Sequence, residues 1–188
     1  MNENKEIRLL DIKTEQRAEN DDKMIIEGYA VVYDSPATHD YTEIIDKNAF
    51  NTCDMSDVCL KYNHEDNLLI MARTRNNSLQ LITDDKGLKI RAELIDTTQN
   101  RDIYKMVQAG LLDKMSFAFT VEKDEWDYET DTRRILSIDK LYDVSIVDVP
   151  FYDSTEVYAR NWKKSKEEYE KRKRIKLEAE KTKLLLSL

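Results

Sequence analysis

A serine and a histidine stand where the sequence could support acyl-transfer chemistry. Ser116 lies in segment 113–121, which alternates with period two and carries small side chains on the serine's face. His64 ends segment 58–64, on its apolar face and just before a charged stretch, whereas His39 lies in a predicted loop. A serine hydroxyl becomes a useful nucleophile when a neighbouring base, most often histidine, takes its proton. The structural alternatives are an outward polar residue for Ser116 and a core-edge histidine for His64.

A carboxylate within an apolar strand is the third candidate. Segment 141–150 is predicted as a strand that a proline ends, and Asp143 shares a face with Leu141 and Val147. Burying a carboxylate there is costly unless a partner accepts its charge. A histidine that becomes charged during turnover is one such partner, and a lysine or arginine is the other. Asp148 lies on the opposite face, nearer the strand end, and is the weaker candidate.

The elements that must position these residues are mostly strands. Segment 24–33 is rich in β-branched and aromatic residues and predicts a central strand. Segments 79–94 and 126–138 each predict a hairpin, the first around an Asp-Asp-Lys-Gly turn. Thr98 is placed to begin a helix and Gly110 to end it. That helix leads directly into the segment that carries the serine.

Composition limits the class of protein. The chain has 188 residues, 36% of them charged, with only 3 glycines and 2 prolines. It shows no apolar run of membrane-span length and no signal peptide at its start, so we expect a soluble intracellular protein without a membrane partner. Cys53 and Cys59 lack a second cysteine pair and are predicted to be reduced thiols. We expect neither a metal nor a cofactor.

Charge divides the chain into two parts. Residues 161–188 contain ten Lys or Arg and five Asp or Glu, whereas residues 1–160 contain 20 and 33. An acidic body argues against nucleic acid as a partner. We therefore predict a folded domain over 1–160 and a charged tail over 161–188, read as a long, mostly exposed helix. A solvated helix and a docking element for a partner are the two interpretations of that tail.

Several short motifs, in order and at matching spacing, resemble one protein family over residues 25–157. They are Gly-Tyr-Ala-Val at 28–31, an acidic segment before Ala49, Asn-His-Glu-Asp at 63–66, Asp-Asp-Lys-Gly-Leu at 84–88, Gly-Leu-Leu-Asp-Lys-Met-Ser-Phe-Ala-Phe at 110–119 and Leu-Tyr-Asp-Val-Ser-Ile-Val-Asp-Val-Pro at 141–150. The sequence resembles the tailed-phage prohead maturation proteases of the HK97 type. The loop after His64 departs from the pattern, because relatives often have proline and glycine where this chain has Leu-Ile-Met-Ala at 69–72.

The resemblance implies a fold similar to that of the herpesvirus assembly protease. This is an α+β fold, mainly an antiparallel β-barrel with surrounding helices, here followed by a long C-terminal helix. The resemblance also implies a serine endopeptidase, with Ser116 as nucleophile, His64 as base and Asp143 as the third member.

The implied substrates are extensions of the capsid scaffold and major coat proteins. The implied place of action is inside the assembling procapsid in the host cytoplasm, with self-cleavage and self-association left open. Two alternatives remain at this point. One is an inactive, scaffold-associated structural module of the same fold, and the other is a small serine esterase or amidase.

Overall fold

The computed structural model describes most of the first 148 residues and short stretches near the end of the chain. The described residues are 6–10, 23–38, 41–66, 70–148, 171, 173–178 and 181–183. The chain divides into two units, Met1–Asp153 and Ser154–Leu188. The roles assigned to residues 1–160 as a protease domain and to 161–188 as a tail stay predictions.

Strands dominate the described part of the first unit. Ten strands, one α-helix and a single 3-10 turn at Thr74–Asn76 follow one another through it. The bounds are β1 Glu6–Leu10, β2 Met24–Val32, β3 Ala37–Thr38, β4 Thr42–Ile45, β5 Cys59–Tyr62, β6 Ala72–Arg73, β7 Leu79–Thr83, β8 Gly87–Leu94, α1 Thr98–Gln108, β9 Lys114–Asp127 and β10 Thr132–Val147. Both predicted hairpins are confirmed, as β7–β8 and β9–β10.

The strands form two sheets. The larger has seven strands in the order β1-β9-β10-β4-β3, with β5 paired to β10 and β6 paired to β5. The smaller has three, in the order β2-β8-β7. The 16-residue strand β10 organises the larger sheet, because β9 follows one of its edges while β4 and β5 share the other, both parallel to it. The strands that carry Ser116 and Asp143, β9 and β10, are therefore neighbours, and His64 follows the end of β5, which also pairs with β10.

The α+β class is confirmed, but the predicted closed barrel with surrounding helices is wrong for the described residues. A barrel needs every strand to be hydrogen-bonded on both sides. Here the described ladders stop at β1, β3 and β6 in one sheet and at β2 and β7 in the other. The described part of the first unit also contains one α-helix in place of a surrounding set.

The helix α1 delivers the chain to β9. Its N-cap is Thr97, one residue before the predicted start, and the Thr97 side chain accepts a hydrogen bond from the Asn100 backbone N–H. Ala109 is the C-cap, and Gly110 follows it with φ of +70°, a conformation that glycine adopts without strain. The predicted helix and its glycine stop are therefore correct to within one residue.

In the second unit the structure describes helical residues 171, 173–178 and 181–183, and those whose burial is described are exposed. The long helix predicted over 161–188 is thus shown only as short stretches. No helix that the structure describes is long and apolar enough to cross a membrane.

The core of the first unit lies around the β9–β10 pair. Phe117 and Phe119 of β9 are fully buried and stack with ring centroids 4.8 Å apart. Leu141, Val144 and Ile146 of β10 are buried alongside them. Burying one such side chain contributes about 1.5–3 kcal/mol, so the strands that carry the candidate site are anchored by their own apolar residues.

Candidate active site

Ser116 sits in the interior of the large sheet. It is the register partner of Leu9 on β1 and of Ser145 on β10. The sequence predicted an open face of small side chains around it, but residues 115–120 are all buried and Ser116 is 0% exposed. The Ser116 side chain is therefore closed to solvent in this structure.

His64 lies in a turn. The alternation in the sequence had instead predicted that His64 continues the apolar face of a strand. Strand β5 ends at Tyr62, and Asn63 and His64 follow with φ of 50° and 57°. Positive φ is uncommon outside glycine, although asparagine and histidine tolerate it better than most residues. The Asn63 N–H donates to the Ile146 carbonyl at 2.9 Å, and the Glu65 N–H to the Tyr62 carbonyl at 3.0 Å. The first bond ties the turn to β10, and the second closes the turn on the end of β5.

Asp143 is fully buried on β10. Its register partners are Ala118 of β9 and Cys59 of β5, both small side chains that leave volume for a carboxylate. The β9–β10 register shifts between Leu141 and Asp143. Such irregularities re-aim side chains and are common beside active sites.

The structure brings the three predicted residues together. His64 Nε2 lies 2.7 Å from Ser116 Oγ, and His64 Nδ1 lies 2.5 Å from Asp143 Oδ1. The His64 side chain is only 5% exposed. This is the connectivity of a nucleophile, a base and an orienting carboxylate, and it suits acyl transfer.

Ser145 is a member of this cluster that the sequence analysis did not single out. Its Oγ donates to Asp143 Oδ1 at 3.0 Å and lies 3.2 Å from His64 Nδ1. The available signal was its spacing, since Ser145 follows Asp143 by two residues and so shares its strand face. What the sequence does not show is that the histidine approaches that face.

Lys61 is the second residue that was missed. Its Nζ lies 3.9 Å from Asp143 Oδ2 and donates to Asp66 Oδ1 at 2.5 Å. Burial of Lys61 opposes its charge, but the hydrogen bond to Asp66 and the negative charge of Asp143 outweigh it, so its pKa is raised. Period-two alternation had placed Lys61 on the polar face of β5 without a role.

Asp148 occupies a different environment from Asp143. Its Oδ2 accepts a hydrogen bond from the Tyr62 hydroxyl at 2.7 Å, and its backbone N–H donates to Asn63 Oδ1 at 3.1 Å. These two hydrogen bonds join Asp148 to the end of β5 and to the turn that carries His64. His39 lies outside the described residues, so its predicted loop position stays a prediction.

A cysteine thiol lies beside the site. Cys59 is a free cysteine on β5 and the register partner of Asp143. Burial raises the pKa of the Cys59 thiol, and a protonated thiol is a poor nucleophile.

Fold and site together define a mixed α+β protein with a buried Ser-His-Asp arrangement. The chain matches the family described as caudovirus prohead serine protease over residues 10–172, most of its length, and it belongs to that family. The resemblance found in the sequence is thus confirmed. A solved structure of the capsid assembly protease of bacteriophage T4 is similar, at 15% identity and a TM-score of 0.47, covering 76% of this chain and 98% of that one. No curated protein matches the chain.

Proposed function

We propose that this protein is a serine endopeptidase in which Ser116 is the nucleophile, His64 the general base and Asp143 the orienting carboxylate. The single observation that carries the proposal is the position of the His64 ring. One of its nitrogens is in hydrogen-bonding reach of a serine hydroxyl and the other of a buried carboxylate. Membership of a serine protease family supports the same reaction class.

The geometry supports a two-step acyl transfer. His64 Nε2 removes the Ser116 hydroxyl proton as Oγ forms a bond to the substrate carbonyl carbon. The protonated imidazole then gives that proton to the departing amine, the peptide C–N bond breaks, and an acyl-serine remains. Water, activated by the same nitrogen, releases the acid and restores the serine. Asp143 fixes the proton on Nδ1 and stabilises the imidazolium that forms in each step.

The proposed substrates are extensions of the capsid scaffold and major coat proteins, with self-cleavage as an additional reaction. The site of action would be the assembling procapsid within the host cytoplasm. The family description, which names a prohead protease, supports a capsid substrate. Backbone N–H groups would stabilise the oxyanion, as in other serine proteases.

The test is co-expression of the full chain with its coat and scaffold proteins, followed by intact-mass analysis of all three. The parent should yield truncated coat or scaffold species, and Ser116→Ala should yield none. Ser137→Ala is a matched control, because Ser137 is a β10 serine whose hydroxyl donates to Glu122 at 2.6 Å, outside the site.

Each outcome separates the proposal from its alternatives. Unprocessed proteins in the parent and labelling of Ser116 by a fluorophosphonate would favour an esterase or amidase. Unprocessed proteins without labelling would favour an inactive structural module. Processing that persists in Ser116→Ala would show that the nucleophile is a different residue.

A further inference from the structure

A row of polar side chains crosses the large sheet at the level of Ser116. Ser116 of β9 is the register partner of Ser145 of β10, and Ser145 is in turn the partner of Lys61 of β5. Paired residues on neighbouring strands share one face of a sheet. Asp143, two residues before Ser145, lies on that face as well. The sheet therefore places Lys61 on the face of the proposed catalytic site.

The ammonium group of Lys61 lies between two carboxylates. Its Nζ donates to Asp66 Oδ1 at 2.5 Å and lies 3.9 Å from Asp143 Oδ2. The side chains of Lys61 and Asp143 are 14% and 0% exposed, so solvent ions screen this pair less than a surface pair. Asp66 is 85% exposed and lies at the outer end of the chain of contacts.

The bond between Lys61 and Asp66 spans the turn that carries His64. Lys61 belongs to β5, whereas Asp66 follows His64 by two residues. A non-glycine backbone at φ of 57° persists where surrounding contacts hold it in place. The Lys61–Asp66 bond is one such contact, because it draws the far side of the turn back to the strand.

We propose that Lys61 is a positioning residue of the proposed catalytic site, an inference that rests on the proposed function. Lys61 acts through its neighbours and does not touch the substrate. Its positive charge balances the buried carboxylate of Asp143, and its bond to Asp66 holds the turn against β5. In this proposal Lys61 holds His64 and Asp143 in their positions before a substrate binds.

The pH dependence of the nucleophile should report this role. The groups around Asp143 are Lys61 and Cys59 of β5, His64 of the turn, Ser145 of β10 and Ser116 of β9, with Asp66 beyond the lysine. A cation next to the Asp143–His64 pair repels an additional proton on that pair. Removing the cation should favour the protonated form of the pair, in which Nε2 cannot accept the proton of the Ser116 hydroxyl. The acidic limb of the pH–rate profile, where the labelling rate falls as the pH decreases, should then move to higher pH.

The test is the second-order rate at which a fluorophosphonate labels Ser116 in the full chain, measured from about pH 5 to 9. This readout needs the serine and its base but no known cleavage sequence. We expect Lys61→Met to move the acidic limb up by roughly half a unit to one unit and to lower the plateau rate about 10-fold, far less than the roughly 10⁴-fold loss of an orienting carboxylate. Lys61→Arg should restore the limb to its parental position.

A matched control is Lys140→Met, which removes the 2.8 Å ion pair of Lys140 with Asp54 at another place on β10. This substitution should change neither the pH of the acidic limb nor the plateau labelling rate. Lys61→Gln repeats the test with a polar side chain if the methionine variant does not fold.

A limb that stays at its parental position in a folded Lys61 variant would overturn the positioning role. An equal shift in Lys140→Met would also overturn it, because the effect would then be one of net charge. Labelling of the parent at a residue other than Ser116 would instead refute the proposed function, which keeps the two failures distinguishable.

Discussion

The two ends of β10 both bury charge, but they hold it in different ways. At the first end, Arg133 donates from Nε to Asp124 at 2.8 Å and from Nη1 to Glu43 at 3.1 Å, with side chains 6%, 18% and 4% exposed. At the other end, Asp143 meets a histidine that sits in a turn with positive φ. About 30 Å of strand separates the two clusters.

The two clusters differ in whether their cationic residue can exchange a proton near neutral pH. Arginine stays protonated at any physiological pH, and its planar fork suits two carboxylates, so the Arg133 cluster is fixed in charge. Histidine as a residue type changes charge near neutral pH, and the proposed mechanism has His64 pass a proton between the Ser116 hydroxyl and a leaving group. One end of the strand is suited to stability and the other to chemistry. Substitutions at the two ends should therefore affect different measurements.

The largest expected effect is the loss of the base. His64→Ala should lower peptide cleavage by roughly 10⁵- to 10⁶-fold, because a serine hydroxyl without its base is a weak nucleophile. The midpoint of urea unfolding should change little, since the buried Asp143 keeps Lys61 and Ser145 as partners and the Asn63 backbone bond still ties the turn to β10. Cleavage and urea unfolding are measured on the same preparation.

His39→Ala is the control for this prediction and should be close to silent in both measurements. Equal losses of cleavage from the two histidine substitutions would mean that His64 is not the base. A large loss of stability in His64→Ala would mean that His64, like Arg133, mainly stabilises the fold.

Local patterns in the sequence predict the elements of the site but not their assembly. The helix stopped by Gly110, the hairpins and the alternating strand with Ser116 are all set by neighbouring residues. The helix was predicted to within one residue, whereas β9 and β10 extend six and nine residues beyond the predicted ends at 121 and 138. The face of Asp143 also followed from period-two alternation. These features depend on contacts between residues that are close together in the sequence.

Features that depend on distant pairing could not be predicted. Lys61 meets Asp143 because β5 lies parallel to β10, across a separation of more than 80 residues that no local pattern reveals. His64 leaves the strand because the backbone turns after Tyr62, where alternation alone suggested a longer strand. Ser116 pairs with Leu9 of β1 and Ser145 of β10, so its neighbours in the sheet also come from distant parts of the chain.

The next effect concerns the third member of the site. Asp143→Asn should lower cleavage by about 10⁴-fold, because the amide no longer fixes the imidazole tautomer or stabilises its charged form. Residual activity should stay above that of Ser116→Ala. Asp148→Asn should be milder, since Asp148 contacts the Tyr62 hydroxyl. A greater loss in Asp148→Asn, measured as kcat/KM on one peptide, would transfer the orienting role to Asp148.

The third prediction concerns the structural end of the strand. Arg133→Met should lower the free energy of unfolding by about 3–5 kcal/mol, because it removes the arginine from the buried carboxylate of Glu43 and the partly buried carboxylate of Asp124. Below its unfolding transition this variant should keep kcat near the parental value. Arg134→Met is the matched control, since Arg134 is 37% exposed and its pairs with Asp34 and Asp46 lie nearer solvent. Equal destabilisation by both changes would remove the distinction between a buried cluster and surface pairs.

The smallest expected effect tests how far the catalytic end extends along β10. Ser145→Ala removes a hydroxyl that donates to Asp143 Oδ1 at 3.0 Å while leaving both charges in place. A neutral donor to a carboxylate contributes about 1.5 kcal/mol or more, so kcat should fall about 10-fold with KM nearly unchanged. Ser145→Thr keeps the hydroxyl and should recover part of that loss. A fall in stability with kcat preserved, measured by urea unfolding and steady-state kinetics, would make Ser145 a packing residue and confine the chemistry to Ser116, His64 and Asp143.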